Sequence, residues 1–154
     1  MTDTTKSLLD QVLTSNPAAA PRKPTPPGSY SMVVREVKAA RNPNNGNEGF
    51  EIISGLIDAT GGQDVEGVDL SRAQAYYTLW ITEGTISAGI AERVLTELGA
   101  FQEGETPRSM LEAAVGNTYD GAVELRAKDV EAGRAFPRLD VTRIGTFQNS
   151  RKAA

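Results

Sequence analysis

The 154 residues contain no cysteine and no histidine. Lack of cysteine excludes disulfides, thiolate nucleophiles, zinc ribbons and iron–sulfur clusters. Lack of histidine excludes Ser-His-Asp triads, imidazole metal ligands and the commonest general base at neutral pH. Catalysis would have to rest on carboxylates, lysine, tyrosine or an all-oxygen Mg²⁺ or Ca²⁺ site. The balance tilts toward binding. No apolar run reaches the roughly 20 residues of a membrane-spanning helix. The polar start Met1–Thr5 has no signal-peptide character. The expectation is a cytoplasmic protein with no membrane partner.

Acidic chemistry fares no better. Asp64, Glu66 and Asp69 follow one another in a polar stretch, but without the fixed glycine and terminal bidentate glutamate of a calcium loop. They read as a solvated loop. Neither a G-x-G-x-x-G fingerprint nor a P-loop lysine occurs. No catalytic residue, metal or cofactor is expected, and no enzymatic activity.

The net charge of −4 is unevenly distributed. Residues 1–47 carry a balance of +3, residues 48–120 one of −10, and residues 121–154 again +3. Two basic ends flank an acidic middle. If the fold brings those ends together, a positive face opposes a negative one; otherwise the charges decorate a mixed surface.

Four parts follow along the chain. In residues 1–16, Leu8, Leu9, Val12 and Leu13 fall at helical spacing behind the capping Thr5. So short a helix needs something to pack on, its own domain or a neighbouring subunit, and its stripe is assigned to subunit assembly. Residues 17–28 hold five prolines in twelve positions, an extended linker with Arg22 and Lys23 at its middle. It is a spacer, or an arm whose two charges touch phosphates. Residues 29–148 form the main domain, and 149–154 a flexible tail.

Within that domain, strands are expected over 29–39 and 50–60, joined by the turn signal Asn45-Gly46. Gly55 marks a bulge or sharp bend. A third strand spans 75–82, then helices over 85–100 and 107–115, then strands over 119–130 and 136–147. The order β-β-β-α-α-β-β suits a mainly β, five-stranded OB-like barrel. A sandwich, or a flat sheet with helices on one face, competes.

Alternation along the third strand places Tyr77, Leu79 and Ile81 in the core. Tyr76, Thr78, Trp80 and Thr82 occupy the other face. Exposed aromatics on a sheet are platforms on which bases stack, although Trp80 can also cap the barrel or pack under the linker. Basic residues are expected at outward positions: Arg35 and Lys38 on the first strand, Arg126 and Lys128 on the fourth, Arg138 and Arg143 on the fifth. A positive track beside stacking platforms is what sequence-independent single-strand binding requires.

The opening Pro27-Gly28-Ser29-Tyr30-Ser31-Met32-Val33-Val34 resembles the start of a family of small phage and prophage proteins found among replication and recombination genes. Phe50–Asp58, Ile90–Gly99 and Leu111–Gly116 match it as well. The resemblance covers roughly residues 26–147. It implies an OB-like fold and single-stranded DNA as partner; replication or recombination proteins are expected as further partners, and the leucine stripe points to homo-oligomers. Two rivals stand beside that expectation. One is a structural or virion-associated barrel that assembles through its leucine-bearing arm. The other is an acidic DNA mimic that inhibits a host protein.

Overall fold

The computed structural model describes residues 23–81 and 85–148. The assembly stripe Leu8, Leu9, Val12 and Leu13, the tail 149–154 and Thr82 lie outside the described residues.

The chain's asparagine-rich turn makes the first long-range pairing. Strands β1 (Gly28–Arg41) and β2 (Glu48–Ala59) form an antiparallel hairpin. Gly46 takes φ +74° there, and its N–H donates to the Asn42 carbonyl at 2.8 Å. The Asn42 and Asn45 side-chain oxygens accept from the Asn44 and Asn47 N–H groups at 2.9 Å, which closes the turn locally. Two irregularities bend the hairpin. Ile57 is the unpaired residue between Asp58 and Leu56 on β2, and Arg35 the one between Val34 and Glu36 on β1.

The second bulge decides which side chains face out. Tyr30, Met32 and Val34 are buried, and strict alternation would send Glu36 inward after them. The extra residue resets the phase. Val37 packs against the core instead, and Arg35 and Lys38 are both exposed.

Strand β3 (Gln74–Ile81) adds to β2, and β4 (Thr118–Leu125) pairs with the first half of β1. Strand β5 (Leu139–Ile144) lies antiparallel to β4 and closes the barrel through a short parallel seam with β3, Ala75 with Leu139 and Tyr76 with Asp140. The result is a closed five-stranded mixed barrel rather than a sandwich or flat sheet. Helices α1 (Thr85–Glu97) and α2 (Pro107–Ala114) connect β3 to β4 and bury Val94, Leu95, Leu98, Met110, Leu111 and Ala114 in the same core. Thr106 caps α2 as its sequence predicts, accepting from the Ser109 N–H at 3.1 Å. Among the described residues no helix is long and apolar enough to cross a membrane.

Two expectations need correcting. The fourth strand stops at Leu125, not 130, because Ala127–Glu131 forms a short helix, α3. Asp129 anchors this excursion: its carboxylate accepts the Arg138 N–H at 2.8 Å and its carbonyl the Arg134 N–H at 3.1 Å. The last strand starts at Leu139, since Pro137 has no N–H to offer a ladder. It ends at Ile144, where Gly145 at φ +56° turns the chain into a sixth strand, β6 (Phe147–Gln148).

One polar pair sits inside the barrel. The Ser54 and Tyr119 hydroxyls lie 2.5 Å apart, Ser54 fully buried. Burial pushes the Tyr119 pKa up to about 12, so the phenol stays neutral. Tyr119→Phe strands a buried hydroxyl and should cost about 1–3 kcal/mol. Adding Ser54→Ala removes the orphan and should restore part of that loss, a non-additivity that denaturant titration of both variants will reveal.

Glu97 ties α1 to the β5–β6 turn. Its carboxylate accepts the Thr146 N–H at 3.1 Å and the Thr146 hydroxyl at 2.6 Å. Those bonds hold its carboxyl below the ordinary 4.5. A pKa lowered by folding contributes stability that is complete above the unfolded value and lost as pH falls through the folded one. Thermal melts between pH 6 and 3 should therefore show a shallower acid limb for Glu97→Gln than for the parent.

Candidate functional site

Register and burial together define the outer face of β1–β2–β3. Tyr76 stands opposite Ile53, which stands opposite Glu36. The next row is Thr78, Glu51 and Lys38, and the third is Trp80, Gly49 and Ala40. Tyr76, Thr78 and Trp80 are half-buried while Ala75, Tyr77 and Leu79 are buried, as the alternation of β3 predicts. Ile81, at the strand's end, is half-buried and packs against the same core.

The glycines of β2 are spaces for neighbouring side chains. A Cβ on Gly49 would come within 2.9 Å of the Trp80 indole, so that ring leans over the glycine. At Gly55 the Arg35 guanidinium occupies the place a Cβ would take. Arg35 thus lies across the sheet rather than out from it.

Arg138 organises the barrel seam. Its guanidinium stacks on the Tyr76 ring, 4.1 Å from the centroid. Its Nη2 donates to Glu51 at 3.1 Å and its Nε to Asp140 at 3.2 Å. Three strands, β2, β3 and β5, meet at this one side chain. The Tyr76 hydroxyl donates to Gln74 at 3.0 Å.

Beyond Tyr76 the face opens into a cleft of about 490 Å³. The connection between β4 and β5 forms one wall, closed on itself by the Arg126 N–H donating to the Arg138 carbonyl at 2.8 Å. Lys23, Arg72, Arg126, Arg134 and Arg138 line it, against the carboxylates Asp69 and Asp129. Phe136 also lines it and is 48% exposed. The cation excess lies here. On the open sheet face Lys38 has Glu36 at 3.9 Å, and Arg138 has Glu51 and Asp140.

Tyr76, Trp80, Arg35, Lys38 and Arg138 therefore share one face, and Arg126 sits at the cleft that continues it. Lys128 and Arg143 do not join them. Lys128 is exposed on α3, which replaces the expected strand. Arg143 pairs with Ala122 of β4 and donates to the Gly145 carbonyl at 2.6 Å, fastening its own turn. Sequence reasoning missed Arg72, Arg134 and Phe136 as lining residues. A signal existed in Arg134-Ala135-Phe136-Pro137-Arg138, where basic residues alternate with an aromatic. The expected strand boundary at 136 divides it, leaving Arg134 in the turn before.

No protein-family model matches the chain, and no curated protein does.

The Arg138–Glu51 pair is about 70% shielded from solvent on both sides. A double-mutant cycle of Arg138→Ala with Glu51→Ala should give a coupling of about 0.5–1 kcal/mol, near the top of the range for surface pairs. It should shrink as salt is raised.

Proposed function

We propose that this chain binds single-stranded DNA without chemistry and with little sequence preference, on an OB-like barrel of the phage type its opening residues resemble. The observation that carries the reading is Tyr76 and Trp80 on the same outer face of β3, leading into the cation-lined cleft.

The topology supports it. Three antiparallel strands, a helical connection and two further strands close with β3 beside β5. This order is consistent with an OB-like plan, and in OB-folds the face of the second and third strands and the β1–β2 and β4–β5 connections contact oligonucleotides. Here those two connections are residues 42–47 and 126–138. The aromatics lie on the face between them.

The chemistry supports it too. Four residues of β-strand separate Tyr76 from Trp80 by about 13 Å. The two rings can serve successive parts of one extended strand rather than a single base. Stacking accepts any base, because every base has a π-face. Arg138 already lies on Tyr76 as a planar cation, the kind of surface on which bases also stack. Arg35, Lys38 and Arg126 supply charge for the phosphates, and their contribution would appear as salt dependence.

Trp80 is the chain's one tryptophan, so its emission reports this face alone. Oligo(dT) should quench it, and Trp80→Ala should weaken binding of a labelled oligonucleotide by about 1–3 kcal/mol with the fold intact. Leu79→Ala, one residue away on the core side, should instead destabilise the protein by about 2–5 kcal/mol. Emission indifferent to oligo(dT), together with no change in anisotropy, rejects the reading.

A further inference from the structure

We infer that the cleft between β3 and the β4–β5 connection is a site for a nucleoside monophosphate unit, and that on a bound strand it takes an end bearing a terminal phosphate. The strand part of this rests on the single-stranded DNA reading; the mononucleotide part stands without it.

Three of the cleft's cations are already compensated. Arg72 has Asp69 at 3.8 Å, Arg134 has Asp129 at 3.6 Å, and Arg138 has Glu51 and Asp140. Arg126 and Lys23 also line the cleft, and among the described residues neither has an ion pair. Five cations against the carboxylates Asp69, Asp129, Glu51 and Asp140 leave an excess of one, and Arg126 and Lys23 keep donors for several oxygens of one phosphate. A phosphate inside a strand is a diester with one charge. A terminal phosphate is a monoester with about −1.5 to −2 at pH 7 and three strong acceptor oxygens.

Size and lining point the same way. A volume of about 490 Å³ falls within the range of small-molecule sites, more than a lone phosphate fills. Phe136, half exposed, and Tyr76 give the cleft apolar ring surface for a base. Lys23 is held in place on its side, its N–H donating to the Gly67 carbonyl at 3.3 Å and its stem lying against Gly67. The end of the proline-rich segment is therefore part of the wall.

The test uses the full chain, ¹⁵N-labelled, titrated with thymidine 5′-monophosphate, thymidine 3′-monophosphate, thymidine or inorganic phosphate. At least one monophosphate should shift amides within residues 72–76 and 126–138, whereas thymidine and phosphate at equal concentration should shift them far less. In parallel, oligo(dT) with a phosphate at that same end should bind about tenfold tighter than its hydroxyl-ended counterpart. Arg126→Ala and Lys23→Ala should each erase most of that ratio, and Arg126→Lys should keep it. If neither monophosphate shifts these amides, or the two oligonucleotides bind equally, the inference fails, even while quenching of Trp80 upholds single-strand binding. If phosphate alone matches the monophosphates, the cleft is a simple anion site and the nucleotide assignment falls. Shifts by a monophosphate without binding of any oligonucleotide would keep the mononucleotide site and reject the strand reading.

Discussion

The barrel closes through very little backbone. Strands β3 and β5 share only the register positions Ala75–Leu139 and Tyr76–Asp140, against eleven pairs between β1 and β2. Arg138 makes up the difference with side-chain contacts. It stacks on Tyr76 of β3, reaches Glu51 of β2, and holds Asp140 of β5. A guanidinium is suited to this task, since its planar fork can donate in two directions while its face lies on a ring. The candidate site follows from that closure. Tyr76 reaches the β4–β5 connection only because the seam brings them together, and the cleft is the gap that a two-residue seam leaves beside a thirteen-residue connection.

This explains what could and could not be read from the sequence. The faces of β3 were legible because alternation in a strand is local: Tyr76 and Trp80 point away from Tyr77 and Leu79 wherever the strand goes. The hairpin turn at Asn45-Gly46 and the cap at Thr106 were legible for the same reason. Arg35 and Lys38 stand three residues apart, and strict alternation puts them on opposite faces. The bulge at Arg35 places both outside, and what accommodates it is Gly55 on the neighbouring strand, where no Cβ obstructs the guanidinium. The partnership of Arg138 with Glu51 spans 87 residues of sequence and carries no local mark. The strand alternation of Tyr119, Gly121, Val123 and Leu125 runs up to the helix at 127–131 without a local break, and the connection is fastened by Asp129 bonding across to the Arg138 backbone.

Charge shows the same limit. The segment sums of +3, −10 and +3 describe the chain, and the surface redistributes them. Glu36, Glu51 and Asp140 stand among the cations of the sheet face and compensate Lys38 and Arg138. The cleft draws its cations from both ends and the middle: Lys23 before the barrel, Arg72 in the acidic segment, Arg126, Arg134 and Arg138 after it. A negative protein can thus present a local positive site, and the local field governs which anion is attracted.

The proline-rich segment takes a different meaning in this light. Prolines at 24, 26 and 27 keep the chain extended and supply no N–H to a sheet. Yet the Tyr30 hydroxyl, in the barrel's core, donates to the Pro26 carbonyl at 2.6 Å, and Lys23 bonds to Gly67. The Gln63 side chain donates to the Ser29 carbonyl at 2.7 Å and lies against Gly28. Residues 23–28 are therefore fastened along the loop that precedes β3, and the domain begins before its first strand. Fastening stops Lys23 from swinging as a tethered charge would. An extended chain held at three points presents its lysine to the cleft already ordered, so little conformational entropy is lost when an anion arrives. The stiffness that suits a spacer here suits the wall of the proposed site.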